Sequence, residues 1–104
     1  MFPIELLRDY RVPPPAVFEA LEAAITASGG AVHQINTLTR TLRFTTAGLI
    51  PGGRYMAEVI PRGAGSFVHV HGTPRSASLR ARNRQDRKLA EILDAVGDNL
   101  EAKV

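Results

Sequence analysis

His69-Val70-His71 sets two imidazoles two residues apart, and in an extended chain alternate side chains share one face. Imidazole is an ordinary ligand for zinc or iron, so this pair is the chain's nearest approach to a metal-binding motif. If Val59 pairs with Val68 in a hairpin, Glu58 falls directly across from His69 and adds a carboxylate. Local spacing fixes no third ligand, and His33 is too weakly placed to supply one. The expectation is two surface histidines, with no metal and no cofactor.

A second candidate is the basic run Arg80, Arg82, Arg84, Arg87 and Lys88. Guanidinium forks suit phosphate oxygens, so this segment is where a polyanion would make contact. From Arg75 to Lys88 lie six of the thirteen basic residues and one of the ten acids, net +5, which leaves the remainder at −2. No aromatic residue interleaves the run, which leaves base stacking unsupported, and no helix-turn-helix or RNP pattern accompanies it. A solvated segment with pairs such as Arg87–Glu91 at i, i+4 is the plainer reading.

Other chemistry has little to rest on. Pro51-Gly52-Gly53-Arg54 is not followed by Gly-Lys-Ser/Thr, so it is no phosphate loop, and it lacks a dinucleotide fingerprint. Ser66, Ser76 and Ser78 have no nucleophile-elbow context. Tyr10 and Tyr55 read as packing residues with a wet hydroxyl. The chain has no cysteine, which excludes disulfides, thiolate nucleophiles and cysteine-based zinc sites.

The elements that would position these residues follow from periodicity. Ile4 to Val12 alternates, with Ile4, Leu6, Tyr10 and Val12 on one parity and Arg8 breaking it, which predicts an edge strand. Pro13-Pro14-Pro15 ends that strand and starts a helix whose Val17, Phe18, Leu21, Ala24 and Ile25 share a face. Ser28-Gly29-Gly30 closes it. Ala31 to Asn36 and Arg40 to Thr46 predict a hairpin with Leu42 and Phe44 inward. Gly48 to Gly53 reads as a flexible connection. The second hairpin turns at Gly63-Ala64. Its inner row is Tyr55, Ala57, Val59, Val68 and Val70, and its outer row Met56, Glu58, Ile60, Phe67, His69 and His71. Met56, Ile60 and Phe67 make that outer row unusually apolar, which marks a possible interface. Gly72 to Arg82 is expected as a loop, with Asn83 capping a last helix and Asp86 in its first turn. Leu89, Ile92, Leu93, Val96 and Leu100 give that helix its apolar stripe, and Gly97 is expected to kink or fray it.

Strand, proline turn and Pro15-Ala16-Val17-Phe18-Glu19-Ala20-Leu21 together resemble the opening of the START/Bet v 1-like (SRPBCC) helix-grip superfamily. Leu89 to Leu100 looks like that superfamily's C-terminal helix, and the chain resembles a shortened form. The resemblance implies a helix lying across an antiparallel sheet and a hydrophobic ligand space between them.

At 104 residues, 44% hydrophobic and 22% charged, the chain is expected to form one α+β domain over residues 1–104. The expected architecture is an antiparallel sheet of four or five strands with two helices on one face, in the order β-α-β-β-β-β-α. Met1-Phe2-Pro3-Ile4-Glu5 lacks a basic region followed by an apolar run, and no segment suits a membrane span, so a cytoplasmic location is expected. The function expected is a non-enzymatic binding or interaction module taking an apolar ligand, a protein partner or a second copy. Polyanion binding through residues 75–88 is the alternative, and a metal-dependent enzyme using His69 and His71 comes third.

Overall fold

A computed structural model describes residues 3–46, 53–73 and 79–102. Seven elements follow one another: β1 (Ile4–Tyr10), α1 (Pro14–Ala27), β2 (Ala31–Asn36), β3 (Thr41–Thr45), β4 (Arg54–Arg62), β5 (Gly65–Thr73) and α2 (Leu79–Ala102). The strands form one antiparallel sheet in the order β1-β5-β4-β3-β2. This is the expected α+β architecture, with the upper strand count. The glycine-rich connection from Gly48 to Gly52, and Arg75, Ser76 and Ser78, lie outside the described residues.

Alternation decides the two faces of the sheet. Ile4, Leu42, Phe44, Tyr55, Ala57, Val59, Val68 and Val70 point inward and are buried against Val17, Leu21 and Ile25 of α1 and Leu89, Leu93 and Val96 of α2. Both helices thus cover the same side, and the core lies between them and the sheet. The second hairpin pairs Val59 with Val68 across a two-residue turn. Gly63 there takes φ 59°, the left-handed conformation this first turn position requires. Pro14 and Pro15 open α1, where a missing N–H goes unnoticed. Its end is sealed by Gly29 N–H on Thr26 O and Gly30 N–H on Ile25 O, a Schellman closure that satisfies two orphan carbonyls.

Arg8, the exception in the alternation of β1, is explained by α2. Its guanidinium lies on the inner parity at the sheet's edge and donates to Asp94 Oδ1 at 2.6 Å. Two residues further along β1, Tyr10 OH donates to the Leu93 carbonyl at 2.6 Å.

Three expectations about the last helix need correction. It begins at Leu79, not Asn83, because Leu-Arg-Ala-Arg are good helix formers and extend it by a turn. Asp86 therefore sits well inside the helix, and no acid occupies its first turn. Gly97 interrupts nothing: the helix runs on to Ala102, with Tyr10 Cε1 3.7 Å from where a Gly97 Cβ would be. Packing against the sheet outweighs the local propensity cost.

Burial pushes the phenols of Tyr10 and Tyr55 up to about 12 from an ordinary 10.0. For Tyr10 the Arg8 charge opposes that rise and Asp94 adds to it. For Tyr55 the Gly53 N–H opposes it and Asp86 adds to it. A raised folded value favours the neutral phenol, so this stability is fully present below pH 10 and lost as pH rises through 12. These are the chain's two tyrosines, so tyrosinate absorbance reads them alone. The expected result is a titration midpoint near 12 in the folded protein, with melting temperature falling from pH 10 upward. A midpoint at 10 would mean that both hydroxyls are free of the core.

Candidate functional site

With both helices on the inner side, the outer side of the sheet is where β1, β5 and β4 display their remaining side chains. The register fixes the rows. Glu5 lies across from His71 and His71 from Met56; Leu7 from His69 and His69 from Glu58; Asp9 from Phe67 and Phe67 from Ile60. The middle of this face is polar. Candidate ligand atoms of Glu58, His69 and His71 all lie within 4.8 Å of one another, and all three residues are half-buried. The two imidazole centroids stand 4.9 Å apart at 33°. Glu5, on the edge strand, brings Oε2 to 3.0 Å from His69 Nε2. Beside this cluster is an open depression of about 520 Å³ lined by Pro3, Ile4, Glu5, His69, His71, Gly72 and Thr73.

Apolar groups flank the cluster instead of filling the face. Ile60 is 38% exposed and Leu7 54%, whereas Met56 and Phe67 are half-buried. The Arg62 guanidinium stands 5.7 Å from the Phe67 ring centroid and reaches Asp9 Oδ1 at 3.0 Å, which explains the shielding of Phe67. The row of Glu58 and His69 separates Met56 from Ile60 and Phe67. Of the three residues singled out as an interface, two are therefore neighbours and the third stands apart. Leu7 was missed. Its outward parity, alternating with Ile4, Leu6 and Tyr10, was the signal that could have found it.

The structure places the basic run on α2. Arg80, Arg84 and Arg87 are exposed at i, i+4 and i+7 and share one stripe opposite Leu89 and Val96; Lys88 is half-buried beside it. The side chain of Arg82 lies outside the described residues. Glu91 and Asp98 continue the same stripe, so its sign reverses along the helix. The anticipated Arg87–Glu91 pair is not among the ion pairs of the described residues, which join Arg8 to Asp94 and Arg62 to Asp9. His33 sits at the irregularity between Val32 and Gln34 in β2, with Nε2 3.0 Å from Thr45 Oγ1 and no part in the cluster. At one end of the inner face Gln85 Oε1 accepts from Thr46 Oγ1 at 2.5 Å and Tyr55 OH at 3.2 Å. Among the described residues no helix is long and apolar enough to cross a membrane.

No family model and no curated protein matches the sequence. Solved structures do match the fold. The Aha1 dimer from Colwellia psychrerythraea is similar with a TM-score of 0.72 at 14% identity, covering 97% of this chain and 97% of that one. Ara h 8.0201 gives a TM-score of 0.71 at 12% identity over 97% and 98% of the two chains. The Zhui aromatase/cyclase from Streptomyces sp. R1128 gives 0.64 at 10% identity over 96% and 93%. The fold is accordingly the helix-grip fold, as the opening strand, proline turn and last helix implied. One expectation is overturned. That the chain is no enzyme does not stand: its fold is shared with an aromatase/cyclase, so the architecture gives no ground for excluding catalysis.

Proposed function

We propose that the chain is a binding domain of helix-grip architecture that self-associates through the outer face of its sheet. The observation that carries this reading is the one-sided placement of the helices. It leaves Leu7 and Ile60 exposed on a face that, in a solvated sheet, would carry polar residues. Phe67 beside them, under the Arg62–Asp9 clasp, extends the apolar area. The likeness to a protein solved as a dimer supports the same reading. The inner face is occupied by the domain's own core, so the outer face is the better place for a partner. The α2 stripe supports polyanion binding less well, since Glu91 and Asp98 would repel a phosphate backbone that followed it past Arg87.

Sedimentation of the tag-free protein tests the proposal. A mixed, modest interface predicts a dimer with Kd of about 1–100 µM. Ile60→Lys together with Leu7→Lys is expected to give a monomer whose melting temperature matches that of the parent diluted below its Kd, because both positions are solvent-facing. A parent chain that stays monomeric through that range, or a variant that still dimerises, rejects this surface.

A further inference from the structure

We propose that Glu58, His69 and His71 form a binding site for a divalent transition-metal ion, with Zn²⁺ as the probe, and that Glu5 orients His69 within it. Two imidazoles and one carboxylate make a complete three-ligand zinc set, with the fourth position left to water. The same donors disfavour calcium and magnesium, which take oxygen ligands. Zinc bonds of about 2.0–2.2 Å put tetrahedral ligand atoms about 3.4 Å apart. The observed separations, within 4.8 Å, exceed that value by about 1.4 Å at most.

The setting favours an ion over three unrelated surface groups. All three residues stand on β4 and β5, each paired with a neighbour on both sides at this point of the sheet, so their backbones are fixed before any ion arrives. Their half-burial lowers the competition from bulk water. The contact of Glu5 Oε2 with a ring nitrogen of His69 is the arrangement by which a carboxylate fixes the tautomer and orientation of a metal-bound imidazole, leaving the other nitrogen for the ion. The open depression beside His69 and His71 provides the entry path and room for the water or for an anionic ligand on the ion. The site does not depend on self-association, since one chain supplies every ligand.

Calorimetric titration of tag-free protein with ZnCl₂, above the imidazole titration range, tests it. One ion per chain is expected, with a melting temperature raised by about 10 °C at a hundredfold excess over Kd. His69→Ala or His71→Ala should each weaken binding by more than about 100-fold, beyond what loss of an outer partner causes, and Glu5→Gln by about 10-fold. His33→Ala should leave binding unchanged. Glu58→Gln keeps the shape of the side chain and should weaken binding with no change in zinc-free melting, which separates lost ligation from lost folding. No saturable binding by the parent, or equal affinity in the His69→Ala/His71→Ala double variant, overturns the assignment.

Discussion

Phe44→Ala is expected to lower the unfolding free energy by about 3–5 kcal/mol, the range for deleting a buried aromatic ring. Phe44 is 2% exposed in the middle of the inner face, and its ring lies 5.7 Å from that of Tyr55 at 36°. The backbones of β3 and β4 are held by their ladder, so the space left by the ring cannot collapse. A domain of this size has about 5–15 kcal/mol in all, so the loss is a large share of it. The melting temperature should fall by about 15 °C or more. Denaturant unfolding provides the measurement, with Leu38→Ala as the contrast, because Leu38 is 91% exposed and should stay within about 0.5 kcal/mol of the parent. A Phe44→Ala cost below about 1 kcal/mol would show that β3 does not face the helices.

Gly72→Val should be of similar severity for the opposite reason. A Cβ at Gly72 would overlap the Arg54 carbonyl oxygen and stand 2.6 Å from Tyr55 Cδ1 and 2.8 Å from Tyr55 Cα. Two of those atoms belong to the backbone of β4, so no side-chain rotation relieves the overlap and the β4–β5 ladder must open there. Overpacking commonly costs about 1–3 kcal/mol, and a collision with backbone belongs at the upper end or beyond. Opening the ladder would also displace Tyr55 from Gln85 and His71 from its neighbours. Gly63→Ala separates the two roles of glycine. A Cβ there meets nothing within 4 Å, and the cost is left-handed strain alone, about 1 kcal/mol. Hydrogen exchange should show faster amides along β4 and β5 in Gly72→Val and only at the turn in Gly63→Ala. Equal protection in both variants and the parent would mean that these strand ends are already apart.

Alternation made the second hairpin legible before any coordinates. The Val59–Val68 pairing, the Gly63-Ala64 turn and both rows of side chains follow from period two and turn chemistry. The order of elements was readable for the same reason, and the helix-grip likeness from the proline-led first helix. What escaped was whatever depends on distant segments meeting. Nothing local says that β1 joins β5, so Glu5 and Leu7 were not placed beside the histidines. Arg8 looked like a flaw in a strand until Asp94, on another element, accounted for it. The shielding of Phe67 by Arg62 depends on Asp9, also on β1. The start of α2 was missed because a run of arginines reads as charge before it reads as helix propensity.

The partnership of Ile4–Tyr10 with Gly65–Thr73 also bears on how the molecule acquires its shape. Neighbours in that ladder are separated by most of the chain, so contact order is high and the entropy of loop closure must be met before the pairing is rewarded. During synthesis β1 would leave the ribosome with no partner and wait for some sixty further residues, its edge open meanwhile to pairing with other nascent chains.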